Sequence, residues 1–133
     1  MKDIDVVIVT YNSSSHIKDC LDSLLIKNLK NINKVVIVDN NSNDNTEDVI
    51  KKNFSHIEFI KNSSNLGYAK AVNIGMKKLN ENYCLIANPD TVFKSKSLNY
   101  LRNIIHSDNT IAIVGGQQTY GDNIWQRSYG NYP

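Results

Sequence analysis

Short apolar runs alternate with amphipathic stretches along this chain. The runs lie at 4–10, 34–39, 57–61, 83–87 and 111–114, and the first two are rich in valine and isoleucine, as buried strands of a parallel sheet are. The four stretches between them repeat apolar residues every three or four positions, which is typical of helices. This alternation predicts an α/β protein with a Rossmann-like, doubly wound, mostly parallel sheet.

The second and third predicted helices have a recognisable start and a recognisable buried face, respectively. Asp44 followed by Glu47 resembles a capping box at the start of the second helix. The third helix is predicted to bury one face, formed by Ala69, Val72, Met76 and Leu79. After Gln117 no further strand or helix is predicted.

Three of the predicted strands end abruptly in polar residues. The first ends at Tyr11-Asn12, the second at Asp39-Asn40-Asn41-Ser42 and the fourth at Asn88-Pro89-Asp90. Because the carboxyl ends of parallel strands line one crevice where ligands bind, Asp39 and Asp90 are expected to face a common cleft. The pattern indicates a nucleotide and metal site, although each segment alone is also an ordinary turn.

A glycine precedes the third predicted helix, in Asn65-Leu66-Gly67-Tyr68-Ala69. A small residue at a helix N-terminus allows the backbone to approach a diphosphate. Close packing of the helix on the sheet explains the same glycine. Asn73 and Gly75 lower helix propensity within this helix, which hints at a functional constraint.

Composition narrows the class of protein. A length of 133 residues fits one domain, and a net charge of +2 with scattered lysines gives no stripe for nucleic acid. Cys20 and Cys84 are expected to be small core residues, Cys84 in a buried strand, which favours a reducing, cytoplasmic compartment. The first residues leave no room for a signal peptide, and no apolar stretch approaches the roughly 20 residues that span a bilayer.

Several common kinds of binding site are excluded because their sequence motifs are absent. Neither the dinucleotide fingerprint nor the P-loop occurs, and the three histidines are isolated. Taken together, the motifs that do occur resemble family 2 glycosyltransferases, most of all the rhamnosyltransferase-like branch. They are Val7-Ile8-Val9-Thr10-Tyr11-Asn12, Val38-Asp39-Asn40-Asn41-Ser42 with Asp44 and Thr46, Asn65-Leu66-Gly67-Tyr68-Ala69 with Asn73-Ile74-Gly75, and Asn88-Pro89-Asp90.

The resemblance implies a GT-A fold that binds a UDP- or dTDP-linked sugar, and it assigns roles by position. The nucleotide would contact Thr10, Tyr11, Asn12, Asp39, Asn41, Asn65, Gly67, Ala71 and Asn88. Within this set Asp39 would bind the imide of uracil or thymine, and Asn65, Gly67 and Ala71 would lie along the nucleotide and diphosphate. Asp90 would bind Mg²⁺ or Mn²⁺ as the second acid of the D-x-D motif, where Asn88 replaces the first.

The resemblance also implies the reaction. Family members invert the anomeric carbon of a donated hexose, and a carboxylate base removes the proton of a glycan or lipid-linked acceptor. That base normally lies further downstream, and Asp122 in Gly121-Asp122-Asn123 is typical of a hairpin turn. No catalytic residue is therefore assigned, and donor binding with little or no transfer is expected.

Two other functions stay open from the sequence. One is a non-catalytic nucleotide-sugar-binding or assembly domain. The other is a sugar nucleotidyltransferase, but that class needs a glycine-rich, arginine-containing loop after the first strand, and residues 12–15 do not form one.

The expected organisation is a nucleotide-sugar-binding domain over 1–116 and the start of an acceptor-side region over 117–133. The chain is expected to end within the fold and to self-associate through the apolar face left open there. A lipid-linked acceptor would make it peripheral at the inner face of the plasma membrane.

Overall fold

The computed structural model describes residues 4–28, 30–120 and 124–126, and all side chains among them except those of Lys27 and Trp125. The elements, in chain order, are β1 (Ile4–Thr10), α1 (Ile17–Asn28), β2 (Ile32–Asp39), α2 (Thr46–Asn53), β3 (Glu58–Lys61), α3 (Tyr68–Met76), β4 (Tyr83–Ala87), α4 (Ser97–Ser107), β5 (Gln118–Thr119) and β6 (Trp125–Gln126). They form two compact units, Met1–Lys96 and Ser97–Pro133. Within the described ranges no helix has the length and apolar character needed to cross a bilayer.

The first unit contains a four-stranded sheet in the order β3-β2-β1-β4. Every neighbouring pair in it is parallel, which confirms the predicted α/β fold class. The chain moves outward from β1 to β3 and then returns to place β4 on the other side of β1. The direction of winding therefore reverses between β1 and β4, and this is the position where open α/β sheets bind ligands.

Helices cover both faces of this sheet. On one face α3 packs against valines of β1 and β2, among them Val9, Val36 and Val38. A Cβ at Gly75 would lie 2.7 Å from Cγ1 of Val7, so the glycine is needed for close approach of helix and sheet. The helices α1 and α2 pack against each other and cover the opposite face, where Ile8 and Ile37 have no exposed surface.

The buried face of α3 differs from the predicted one. Ala71, Val72 and Gly75 are buried, whereas Ala69 and Met76 are exposed. The prediction omitted glycine because it looked for large apolar side chains, and here the closest contact is made by the residue without one. Gly75 therefore has a packing role, which explains one of the two propensity exceptions in the helix.

The strand β4 was predicted to be buried, and this was wrong. It lies at an edge of the sheet, and its side chains alternate between partly buried and exposed up to Ala87, which is buried. Cys84 is exposed, and Ile86 has 46% of its surface exposed. A continuous apolar run does not show by itself whether a strand is central or at an edge.

The second unit contains α4 and a two-stranded antiparallel ladder of β5 and β6. The strand predicted at 111–114 is absent: these residues have no regular structure, and Ile113 is 89% exposed. A strand needs a neighbour for its backbone N–H and C=O groups, and in the described part of the chain none pairs with this segment.

The hairpin turn predicted at Gly121-Asp122-Asn123 lies outside the described residues, and β5 and β6 pair on either side of it. These two strands were not predicted after Gln117. The domain boundary predicted at residue 116 stays a prediction, because the two units are defined by compactness alone.

Candidate functional site

A cavity of about 400 Å³ lies where the winding of the sheet reverses. Its wall is built from the residues that follow β1, β2 and β4 and from the segment that leads into α3. The lining residues are Val9, Tyr11, Ser13, Asn40, Asn65, Gly67, Tyr68, Asn88 and Pro89. None of these carries a formal charge, and the two tyrosines are each 50% exposed. The cavity thus offers amides and aromatic rings to a ligand.

The loop after β1 is held by the loop after β2. The backbone N–H of Asn12 donates to Oγ of Ser42 (2.8 Å), and the backbone N–H of Ser13 donates to Oγ1 of Thr46 (2.8 Å). In return the side-chain oxygen of Asn12 accepts from the backbone N–H of Asn43 (2.9 Å). These bonds position the neighbouring Tyr11 at the cavity through the polar residues of the second motif.

Asp44 completes this connection between the loops. Its carboxylate accepts hydrogen bonds from the backbone N–H of Ser14 (3.0 Å) and from the N–H and hydroxyl of Thr46. Burial opposes ionisation of this carboxyl group, but the hydrogen bonds outweigh that effect and lower the pKa of Asp44 to about 2. The predicted capping box does not form, because the Glu47 carboxylate instead binds Lys51 and Lys61.

Asp39 lies beneath the cavity and does not line it. Its side chain has no exposed surface. Oδ1 accepts from the hydroxyls of Thr10 (2.8 Å) and Ser42 (2.5 Å), and Oδ2 accepts from the backbone N–H of Ser42 (2.8 Å). Asp90, by contrast, is exposed. The expectation that these two carboxylates face a common cleft is therefore wrong, since Asp39 is enclosed by its own loop.

Strand periodicity explains the position of Asp39. Successive side chains point to opposite faces of a sheet, and Val38 faces α3, so Asp39 points to the face covered by α1 and α2. Asn40, one residue further, lines the cavity on the α3 side. The sequence analysis did not select Asn40, although the period of two, counted from Val38, could have identified it.

Asn40 is held by two side-chain hydrogen bonds and is only 3% exposed. Its Oδ1 accepts from Nδ2 of Asn62 (2.8 Å), and its Nδ2 donates to the carbonyl oxygen of Gly67 (3.3 Å). Four further lining residues were not selected by the sequence analysis: Val9, Ser13, Tyr68 and Pro89. Tyr68 directly follows Gly67. An aromatic residue next to the selected glycine was the signal that could have identified it.

Gly67 has a conformational role at the cavity. Its φ is +81°, a value that L side chains rarely adopt, and a Cβ there would meet nothing within 4 Å. Asn65 fixes this turn, because its Oδ1 accepts from the Gly67 backbone N–H (2.9 Å). Close packing on the sheet is therefore not the reason for a glycine at this position.

The segment after β4 forms a tight turn supported by α1. The backbone N–H of Thr91 donates to the carbonyl oxygen of Asn88 (3.2 Å) across Pro89, and the Cys20 thiol donates to that same oxygen (3.6 Å). Burial raises the pKa of the Cys20 thiol to about 12. Cys20 is therefore a packing residue, as predicted, and it supports the turn that carries Asp90.

The fit of this turn to a metal ion depends on Asp90. Its exposed carboxylate accepts no hydrogen bond from the residues that the structure describes, so both oxygens are available. No group of three or more potential ligand side chains occurs among those residues. A single carboxylate still fits Mg²⁺ or Mn²⁺, because such ions take further ligands from substrate phosphates and water.

The remaining selected residues have other positions. Thr10 and Ala71 have no exposed surface, and Asn12 and Asn41 have φ values of 50° and 65°. Asparagine adopts this left-handed conformation more readily than most residues. The structure thus brings Tyr11, Asn65, Gly67 and Asn88 together at the cavity and places the others behind or beside it.

Comparison with known proteins gives a consistent result. The family model described as "Glycosyl transferase family 2" matches residues 5–132. The chain is similar to the poly(ribitol-phosphate) beta-N-acetylglucosaminyltransferase TarP of Staphylococcus aureus (strain N315), with 29% identity over 119 residues, which are 86% of this chain and 36% of that protein.

Two solved structures share the fold. One is S. aureus TarS 1-349 in complex with UDP-GlcNAc, with a TM-score of 0.71, 22% identity, and coverage of 90% of this chain and 38% of that one. The other is the mannosyltransferase PcManGT from Pyrobaculum calidifontis in complex with GDP-Man and Mn²⁺, with a TM-score of 0.73, 20% identity, and coverage of 84% and 34%. These likenesses confirm the expected GT-A fold, and the chain spans little more than a third of each relative.

Proposed function

Because the chain belongs to glycosyl transferase family 2, we propose that its cavity binds the nucleotide of a nucleotide-diphospho-sugar. In this proposal the chain supplies the donor-binding part of an inverting glycosyltransferase of hexosyltransferase type, which acts on a glycan or lipid-linked acceptor. The observation that carries the proposal is the uncharged, aromatic-walled cavity at the reversal between β1 and β4. The rhamnosyltransferase-like branch and the UDP- or dTDP-linked donor stay predictions.

The nucleoside is proposed to lie against Tyr11. This ring is half exposed at the cavity, and the loop that carries it is fixed by hydrogen bonds from the second motif. Stacking of a base on a fixed aromatic ring contributes roughly 1–3 kcal/mol. A rigid ring also loses little conformational entropy when a ligand binds.

The diphosphate is proposed to lie beside the turn after β4, where Asn88 and Pro89 line the cavity. Asp90 would hold Mg²⁺ or Mn²⁺ beside it, and the ion would neutralise charge on the diphosphate. With Asn88 in place of the first acid of D-x-D, we expect weaker metal binding than two carboxylates would give.

The transfer step needs a base that we do not assign to any described residue. In the proposed reaction the acceptor oxygen attacks the anomeric carbon, the bond to the diphosphate oxygen breaks, and the base takes the acceptor proton. We therefore expect this chain to bind donor but to transfer sugar slowly or not at all. Binding without transfer is also what a nucleotide-sugar-binding module would show.

Calorimetric titration with UDP and dTDP, each with and without Mn²⁺, tests the proposal. Tyr11→Ala should weaken nucleotide binding by about tenfold or more, whereas Tyr100→Ala should not, because Tyr100 is an exposed tyrosine of α4 outside the cavity lining. Asp90→Asn should remove the gain in affinity from Mn²⁺, and Asp48→Asn, which alters an exposed carboxylate on α2, should keep it.

Three results would contradict the proposal. Absence of nucleotide binding at millimolar concentration overturns donor binding. Equal loss of affinity in Tyr11→Ala and Tyr100→Ala overturns the assigned cavity. Sugar transfer at an ordinary enzymatic rate overturns the expectation of slow or absent transfer.

A further inference from the structure

Asn40 presents a fixed side-chain amide to the cavity. The bond to the carbonyl oxygen of Gly67, which can only accept, identifies that end of the amide as the nitrogen. Amide orientation is assigned from such partners. The other end is then the oxygen, and the Asn62 amide, which can present either of its own ends, turns Nδ2 toward it.

Reversal of the Asn40 amide would place its oxygen against the Gly67 carbonyl oxygen and lose that bond. The bond with Asn62 would survive only if the Asn62 amide, which is 9% exposed, reversed at the same time. The surrounding protein therefore holds the amide in one orientation.

The nitrogen end of the amide is bound to a residue of the cavity wall. Gly67, which binds the nitrogen, lines the cavity, whereas Asn62, which binds the oxygen, does not. An amide nitrogen carries two hydrogens, and one of them is used by Gly67. Within the described ranges the second hydrogen has no partner.

Resting on the proposed nucleotide site, we propose that Asn40 is a specificity-determining residue that donates its second N–H to a carbonyl oxygen of the base. Uracil and thymine have a carbonyl at C4 and guanine has one at C6, whereas cytosine and adenine have an amino group there. An amino group facing this N–H would place two donors together without an acceptor. The cavity should therefore prefer keto bases to amino bases.

Two nucleotide pairs test this preference on the unaltered protein. UDP and CDP differ in the group at C4 and the proton at N3, and IDP and ADP differ in the group at C6 and the proton at N1. Loss of one hydrogen bond with a donor left unpaired corresponds to about tenfold to hundredfold in affinity. We expect UDP to bind more tightly than CDP, and IDP more tightly than ADP, by factors in that range.

Two variants test whether Asn40 causes the preference. Asn40→Asp replaces the donor by an acceptor of the same shape, so the ratio of UDP to CDP affinity should fall to near one or invert. Asn62→Asp leaves Asn40 in place but removes its orienting donor, so the Asn40 amide should reverse and the ratio should again fall. Thermal unfolding checks that both variants are folded.

The outcomes separate this inference from the proposed function. A ratio of UDP to CDP affinity within twofold in the unaltered protein overturns the inference and leaves nucleotide binding intact. A ratio that stays high in a folded Asn40→Asp variant also overturns it. If no nucleotide binds, the proposed function fails and the inference fails with it. A variant that does not fold leaves the ligand comparison on the unaltered protein to decide.

Discussion

Thr10 donates a hydrogen bond of 2.8 Å to Asp39, and neither residue has any exposed surface. The two residues are register partners at the carboxyl ends of β1 and β2. Their bond joins the two strand ends from which the cavity loops begin. The carboxylate that looked most like a base ligand in the sequence is thus an internal support of the site.

This support predicts large losses of stability. Asp39→Ala leaves the Thr10 hydroxyl and two donors of Ser42 without their acceptor, so the free energy of unfolding should fall by about 3 kcal/mol or more. Thr10→Val removes one bond to a charged group and should lower it by about 1.5–3 kcal/mol. Urea denaturation measures both values.

The double variant provides the control for this prediction. Because the two side chains contact each other, the effects of Asp39→Ala and Thr10→Val should be less than additive, with a coupling energy of about 0.5–3 kcal/mol. Additive effects would show that the hydrogen bond contributes nothing. If folded Thr10→Val also changes the preference among bases, Asp39 takes part in base recognition after all.

Asp44 makes the connection between the loops dependent on pH. Its pKa is lowered from 3.8 to about 2 in the folded chain, so its stabilising contribution is complete above about pH 4–5 and is lost as the pH falls toward 2. Asp44→Asn should lower the free energy of unfolding by about 1–2 kcal/mol at pH 7. The difference from the unaltered protein should shrink between pH 4 and pH 2.

Comparison of the two proteins at each pH isolates this group from other carboxylates. Asp48→Asn is the matched control, since Asp48 is an exposed carboxylate on the same helix, and its effect should be small and vary little with pH. A destabilisation by Asp44→Asn that is equal at pH 7 and pH 2.5 would mean that the ionised form has no special role.

The two thiols should differ in reactivity. Cys20 is buried with a pKa raised to about 12, whereas Cys84 is exposed on the edge strand. Thiol reagents attack the thiolate, so native protein should react at one cysteine and denatured protein at two. Labelling with a maleimide followed by mass spectrometry identifies the site, and Cys84→Ser should abolish native labelling. Rapid modification of Cys20 in the native protein would contradict its burial against the turn after β4.

The sequence predicted the sheet better than it predicted the site, for physical reasons. The bounds of β1 and β4 follow from apolar runs that end in polar residues. Position in the sheet is less visible: β4 has the apolar run of a central strand but lies at an edge. The segment at 111–114 is also an apolar run, but no described strand pairs with it. Whether a strand forms depends on its partner as well as on its own sequence.

The site was harder to predict because the residue types alone do not distinguish a ligand from a support. A buried carboxylate must be matched by donors, and three donors surround Asp39 as they do Asp5, which accepts from Asn33, Asn80 and Glu81. Thr10 and the three donors to Asp5 come from segments that are distant in sequence, whereas Ser42 lies three residues after Asp39. Only the period of two along β2 could have shown that Asn40, not Asp39, reaches the cavity.

Gly75 gives a test of how closely α3 approaches the sheet. A Cβ at this position would lie 2.7 Å from Cγ1 of Val7 and 3.2 Å from Cγ2 of Val38, and both are branched side chains in the buried core. Gly75→Ala should therefore lower the free energy of unfolding by about 1–3 kcal/mol through overpacking, despite the higher helix propensity of alanine. Gly115→Ala is the matched control, because a Cβ there would meet nothing within 4 Å, and it should be nearly neutral. Since α3 begins at the cavity, Gly75→Ala should also weaken UDP binding, as measured by calorimetry. A Gly75→Ala protein that is more stable and binds UDP unchanged would contradict this prediction, because it would show that α3 can move away from the sheet without cost.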